Sequence, residues 1–403
     1  MSEATTGAVE QGGFTTWRRG LQERVMQGDV GSLPVILGLV LIWVTFQFLN
    51  PNFLSPRNLT NLVLQIADIG TIAVGIVLVL LLGEIDLSVG AVSGLSAGVV
   101  AVLNVKQGVP APLAIALGVL TGAAIGALQG SWFARFRIPS FVVTLAGLLA
   151  WQGVQLYVLG TTGTINVFDP TIVSLAGSFI SVQAGWVLAA VVIVIVAVDA
   201  YVARRRRVAA GLDVAPIVGV IIRVTLTAGV VLASVEVLNS DRGLPSALLI
   251  LLGFVVFFDQ VTKRTKFGRY IFAVGGNAEA ARRAGISVNT IRVAVFTIAG
   301  AMAACGGILA TSRLLAVNQS SGGGDVLLNT IAAAVIGGTS LFGGRGSVWS
   351  AVSGALVIGS ISNGMDLLAF SSAIKFMVTG GVLLAAVTID AVARQGRQAA
   401  GRA

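Results

Sequence analysis

The sequence has no histidine, a single cysteine and few charges. Without imidazole there is no histidine base and no histidine metal ligand. Cys305 alone forms no intrachain disulfide, so cysteine usage says nothing about redox compartment. Charged residues make up 11% of the chain, against roughly 25% in a soluble domain, too few to cover the surface of a globular fold of this size. An ordinary cytosolic enzyme, a disordered chain and a nucleic-acid-binding module are thereby excluded. Lysine is scarce as well: Lys106, Lys263, Lys266 and Lys375 are the whole set, and none follows a glycine. A Walker A loop needs Gly-Lys-Ser/Thr to hold phosphates, so any use of ATP falls to another chain. The lack of histidine and of a buried acid–base cluster argues against a membrane-embedded enzyme. No catalytic residue and no metal ligand is expected.

Apolar residues are abundant, at 56% of 403 positions, and they fall in long runs. A helix crossing ~30 Å of hydrocarbon needs about 20 mostly apolar residues. Twelve segments fit: 33–49, 62–83, 87–104, 112–134, 139–159, 185–203, 215–238, 244–261, 290–312, 326–342, 347–363 and 370–390. The third, tenth and eleventh are short and rich in Gly or Ser. The expected fold is all-α, a polytopic membrane protein of about 12 transmembrane helices (10–12). Residues 1–30 hold Arg18, Arg19 and Arg24 without a small-x-small cleavage site and read as a cytoplasmic tail, not a signal peptide. Residues 31–390 form the transmembrane domain, and 391–403 a second tail. With the N-terminus inside, 20 of the 26 basic residues fall in cytoplasmic segments, among them Arg135, Arg137, Arg204 to Arg207, Lys263, Arg264, Lys266 and Arg269. Arg57, Lys106, Arg242, Arg313 and Lys375 fall outside. This is the positive-inside bias. It explains the net charge without a nucleic-acid partner and puts both termini in the cytoplasm.

Gly118, Gly122, Gly126 and Gly130 recur every fourth residue, as do Gly90, Gly94 and Gly98. Lipid gives helices no hydrophobic reason to associate, so such stripes serve close backbone packing. There is also an internal echo. Thr71-Ile72-Ala73 precedes Ser88-Val89 by the spacing at which Thr330-Ile331-Ala332 precedes Ser347-Val348. Transporter folds are often built from repeated halves.

Four polar features interrupt the apolar background. Gly83-Glu84-Ile85-Asp86-Leu87-Ser88-Val89-Gly90 places two carboxylates in a nearly continuous apolar run, which is costly unless they reach water or a partner. Asp86 or Ser88 caps the following helix, or the segment forms a polar constriction on a solute path; the two are compatible. The longest loop without a strong apolar run, 262–289, contains Asn277 as an N-cap. Glu279 stands near the positive helix end, Arg282 and Arg283 near the negative one, and Gly285 is a stop. The resulting two-turn helix either docks in a partner's groove or is a solvated connector. Asp68, Asp199, Arg223, Glu236 and Asp259 are isolated charges inside apolar runs; Asp68 is the best proton-relay candidate, and alone it makes a weak one. The runs Ser320 to Asp325 and Ile336 to Gly346 are glycine-rich and permit bends and half-helices.

Taken in order, several motifs resemble the permease subunits of bacterial ATP-binding-cassette importers for pentoses and related sugars. They are Asn52-Phe53-Leu54-Ser55 with Asn58-Leu59, the Ile-Asp-Leu-Ser-Val-Gly core at 85–90, and Gly268-Arg269-Tyr270 through Gly275-Gly276-Asn277, Glu279-Ala280-Ala281 and Gly285-Ile286. Val335 to Leu341 with Gly343-Gly344 and Asn363-Gly364-Met365 follow. The chain looks most like xylose-type members, which share an extra hydrophobic hairpin at 185–240. It departs at Glu84, where glycine is common, and in its basic tails. The resemblance implies a fold like the vitamin B12 and ribose importer permeases, two permease copies, a cytoplasmic ATP-binding subunit that holds ATP and Mg, and an extracellular sugar-binding protein. No cofactor is bound by the permease itself. It implies an ATPase-coupling role for Gly275, Gly276, Asn277, Glu279, Ala280, Ala281 and Gly285, and a translocation path bordered by Gln65, Glu84, Asp86, Ser88 and Asn363. The competing expectations are an ion-coupled secondary sugar carrier, or a permease for ribose or another small sugar. Lipid is the surrounding partner.

Overall fold

The computed structural model describes residues 33–160, 163–212 and 217–399. The expected N-terminal tail lies outside them. The described chain divides into two compact units, one spanning Phe179–Leu244 and the other comprising the remaining residues.

The larger unit opens with α1 (Leu33–Leu49) and α2 (Pro56–Leu81). Ser55 starts α2: its hydroxyl accepts the Asn58 N–H at 3.4 Å, and Pro56 supplies a first-turn residue with no N–H to satisfy. From Thr71 to Leu81 every residue of α2 is buried. It is the central helix of this unit, because nearly unbroken Ile, Val, Leu, Ala and Gly let other helices pack all round it. α3 (Val89–Ala101) continues into one π-helical turn at Val102–Lys106. α4 (Ala111–Phe136) and α5 (Ser140–Leu159) follow, then strand β1 (Thr164–Asn166) and the short α6 (Pro170–Gly177).

The smaller unit consists mainly of α7 (Val182–Ala209) and α8 (Ile217–Asn239), packed on each other. The larger unit resumes with α9 (Ser246–Arg264), α10 (Lys266–Gly276), α11 (Ala278–Arg283) and α12 (Val288–Leu314). Strand β2 (Ala316–Asn318), α13 (Gly324–Ile336), α14 (Ser350–Leu367) and α15 (Ser372–Ala399) complete it. β1 and β2 pair antiparallel, with Ile165 opposite Val317.

The glycine stripe of α4 lies against α12 as its spacing predicts. A Cβ on Gly122 would run into the Gly300 carbonyl, and one on Gly126 into the Phe296 carbonyl. Backbones approach to a distance only glycine permits, and dispersion over that seam replaces the missing hydrophobic drive.

The expected count of about twelve spans is met in part. Among the described residues eight helices are long and apolar enough to cross a membrane: α2, α3 with its π turn, α4, α5, α7, α8, α9 and α12. Shorter apolar helices occupy Pro34–Leu49, Gly324–Ile336 and Ser372–Ala385. The expected span at 326–342 is cut short, because α13 ends at Ile336 and residues 337–349 are not helical. Gly338, Gly343, Gly344 and Gly346 all have positive φ there, which ends the helical hydrogen-bond ladder. α14, at 18 residues, is less apolar than these eight, because Ser, Asn and Asp dilute its apolar character. At the other end, α15 runs on to Ala399, through most of the segment expected to be a tail.

The two echoing stretches take one local shape. Thr71 and Thr330 are fully buried, and each hydroxyl donates to the carbonyl four residues back, on Ala67 and Val326. In both stretches a helix breaks and a new helix begins near a Ser-Val pair, at Val89 itself in the first and two residues beyond Val348 in the second. The two breaks touch, with the Gly344 N–H donating to the Leu81 carbonyl at 2.9 Å.

Candidate functional site

The segment expected to face a partner is built as its sequence suggests and extended by a helix the sequence hides. The Asn277 side chain accepts the Ala280 N–H at 2.9 Å, and Gly285 ends α11 with φ of 82°. Glu279 pairs with Arg282 at 2.8 Å and with Arg283 at 3.3 Å. Glu279, Ala280, Arg282 and Arg283 are exposed, whereas Ala281 faces inward at 5% exposure. α10 had read as loop. It starts on the Thr265 hydroxyl, which accepts the Gly268 N–H at 3.1 Å, and buries Ile271 and Val274.

Gly275 belongs to the interior contacts of this segment and not to its outer face. A Cβ there would overlap the Leu81 carbonyl oxygen and stand 2.8 Å from the Gly344 amide nitrogen. Gly343 in turn sits against the Gly275 carbonyl and Gly83. Three backbone segments thus close on one another: the end of α10, the end of α2 and the break between α13 and α14. A Cβ on Gly276 would meet nothing within 4 Å, although its backbone lies against Gly344.

The residues expected along a path fall into separate clusters. Asp86 and Ser88 stand together. Asp86 Oδ1 accepts the Ser88 N–H at 2.8 Å and the Ser88 hydroxyl at 2.7 Å. Ser88 Oγ is also 2.9 Å from the Gln129 side-chain oxygen. Ser88 occupies the cap position of α3 without a side-chain cap bond of its own; Asp86 folds the backbone just ahead of it. The same break is pinned to α5, where the Thr144 hydroxyl accepts the Leu87 N–H at 3.0 Å and the Ser140 hydroxyl accepts that of Ile85 at 3.2 Å. Glu84 forms an ion pair with Arg292 at 2.7 Å, and Arg292 also lies over the Phe133 ring at 5.7 Å.

Gln65 and Asn363 form another cluster, about 24 Å along α2 from Leu81 at 1.5 Å per residue. Asn363 Oδ1 accepts from Asn58 at 2.7 Å, and its Nδ2 donates to Gln65 at 3.4 Å. This ties α14 to α2.

Sequence reasoning missed the polar cavity near this level. Asp68 is not isolated. Its Oδ2 accepts from Arg313 Nη2 at 2.9 Å and Nε at 3.2 Å, and its Oδ1 from the Ile69 N–H at 2.7 Å. A committed ion pair is a poor proton relay. Asp68 was visible as a charge in an apolar run, but its partner lies 245 residues away. Arg313 lines two cavities, of about 290 and 320 Å3. The first is bordered by Asp68, Gly94, Ser321 and Asn329, the second by Gln65, Asn329, Asp366 and Phe376. Ser321 and Gly322 pack on α5 and α3: the Gln155 amide of α5 donates to the Ser321 carbonyl at 2.9 Å, and Gly322 meets the Gly90 carbonyl of α3.

Residues 58–387 match the family model described as the permease component of the branched-chain amino acid transport system. The chain belongs to this family. It is a permease, not an enzyme, and a multi-pass membrane protein of the bacterial inner-membrane permease type. The permease is 38% identical over 98% of both chains to the xylose transport system permease protein of Escherichia coli. It is 36% identical to the corresponding Haemophilus influenzae protein, covering 89% of this chain and 96% of that one. The ribose import permease protein of Bacillus subtilis is 33% identical, with 92% and 96% covered. No solved structure matches the permease at a significant level.

Proposed function

We propose that this permease is the membrane subunit of an ATP-driven importer and that its cargo is xylose. The coarser reading is a sugar permease of the ATP-binding-cassette type, in which ATP is held by a partner subunit. The observation that carries the finer one is end-to-end similarity, at 38% identity over 98% of both chains, to a xylose permease. Two permease copies work with a cytoplasmic ATP-binding subunit, and an extracellular binding protein delivers the sugar. Both termini face the cytoplasm, in keeping with the distribution of arginine and lysine.

The division of labour is physical. α11 presents a small charged knob that suits a groove on the ATPase, with Asn277 and Gly285 fixing its ends and Glu279 its charge. Gln65, Asn363, Glu84, Asp86 and Ser88 border the path at two depths. Alternating access requires sugar to bind the two states differently, so the permease itself holds sugar weakly.

Reconstitution with the ATPase and binding protein in proteoliposomes tests the reading through uptake of labelled xylose, ribose and arabinose. Xylose is expected to accumulate fastest, and only with ATP. Accumulation by the permease alone without ATP would replace the proposal with an ion-coupled carrier. Preference for ribose or arabinose would keep the importer and change its cargo.

A further inference from the structure

The two cavities beside Arg313 have no part in the site residues expected from the sequence beyond Gln65. They share Ile69, Arg313, Asp325 and Asn329, so the cavities are neighbours and Arg313 and Asn329 belong to the wall of both. At about 290 and 320 Å3 each is at the small end of the range for small-molecule pockets, roughly 300–1,000 Å3. Their polar groups are incompletely used. Asn329 Oδ1 is buried and has no hydrogen-bond partner among the described residues. Arg313 spends Nε and Nη2 on Asp68, which leaves the N–H groups of Nη1 without an acceptor among those residues. A buried amide oxygen without a donor is costly, and a solute hydroxyl arriving there removes that cost.

The charges limit what fits. Asp68 balances Arg313, and Asp366 pairs with Lys375 at the far wall of the second cavity. Asp325, which lines both cavities, adds a carboxylate, so an anion is repelled, and a neutral solute leaves both ion pairs intact. Donors on Nη1, donor and acceptor on the Asn329 amide and an acceptor on Asp325 suit adjacent hydroxyls, each of which both gives and takes a hydrogen bond. Phe376 adds an apolar ring to the second cavity, of use against the C–H face of a sugar.

Resting on the importer reading, we propose that Arg313 and Asn329 form a transient binding site for a neutral, hydroxyl-rich solute of monosaccharide size. The guanidinium of Arg313 is held in position by Asp68, and the solute passes from one cavity to the other over this pair.

The test places one cysteine, Ile69→Cys, which lines both cavities and leaves Arg313 and Asn329 in place, in a Cys305→Ala background of the full chain in lipid nanodiscs. Its modification by a charged methanethiosulfonate reagent is timed with xylose, ribose or arabinose present. Labelling is expected to slow as sugar rises, by about threefold at a concentration of twice Kd, and Arg313→Lys is expected to weaken that protection, since an ammonium lacks the planar fork. Equal rates with and without every sugar would overturn the site, as would protection by leucine and not by sugars. Uptake by the reconstituted wild type is measured alongside. Failure of uptake with protection intact would remove the importer reading and leave the site standing; uptake with no protection would do the reverse.

Discussion

At the residue scale, Asp68 and Arg313 show how a charge pair is tolerated where the chain is otherwise apolar. The Asp68 side chain is 7% exposed and that of Arg313 is 27% exposed. Losing one member strands the other. Arg313→Leu is therefore expected to destabilise the permease by ~2–3 kcal/mol, somewhat less than a fully buried pair loses because Arg313 reaches water. Replacing both residues with leucine should restore part of that loss, and thermal unfolding in detergent would read both effects. If the double variant were less stable than Arg313→Leu alone, the pair would not be the cause. A second residue-scale prediction concerns Asp169, the cap of α6. The Asn104 amide donates to it at 3.1 Å, and with the Thr171 N–H at 2.9 Å it holds the carboxyl below its ordinary range, against some burial. A depressed folded-state value stabilises above the unfolded value and ceases to do so as pH falls through the folded one. Asn104→Ala should lower the melting temperature at pH near 6. The gap to wild type should close as pH drops below about 4, the ordinary carboxylate range; a gap independent of pH would assign Asn104 a purely packing role.

At the element scale, the contact of Gly275 with Leu81 and Gly344 joins α10 to the helices that carry the polar residues. α2 bears Gln65 and Asp68, and the break held by Gly343 and Gly344 joins α13, with Asn329, to α14, with Asn363. A push on α11 thus has a short backbone route to both. Gly275→Ala places a methyl group against a carbonyl that cannot rotate away, so these segments must part. ATP-driven uptake should fall by about tenfold or more, a coupling loss of ordinary size, while ATP hydrolysis persists. Gly253→Ala in α9, with open space around it, serves as the control. Equal uptake by both variants would mean that force does not travel this way. Much of this level was legible in the sequence. Asn277 and Gly285 announce α11, because a cap and a stop are local chemistry. α10 was not, since Lys266, Arg269 and Tyr270 masked its amphipathic face. The end of α13 was marked by the glycine run from Ile336 to Gly346, which permits a bend, although the expected span runs across it to 342. The Asp68–Arg313 pair and the seating of Ser321 on α3 depend on residues far apart in the chain, and no local pattern marks them.

At the scale of the whole molecule, the source of work depends on which side of the membrane each end of the bundle faces. Lys106 closes the π turn after α3, where its ammonium donates to the Leu159 carbonyl at 3.2 Å, and β1 begins a few residues on. Lys263 lies in the last turn of α9, beside the start of α10, and pairs with Asp259 at 2.8 Å. Charge bias assigns the first end to the outside and the second to the cytoplasm. In a Cys305→Ala background, Lys106→Cys should react with an impermeant thiol reagent added to intact spheroplasts, and Lys263→Cys only after permeabilisation. Both positions are exposed, so silence from either would reflect sidedness and not burial. The reversed pattern would carry α11 to the side without ATP. The contact through Gly275 would then still join α10 to the cavity helices, but no nucleotide-driven partner could reach it, and the proposed source of work would be lost together with the orientation.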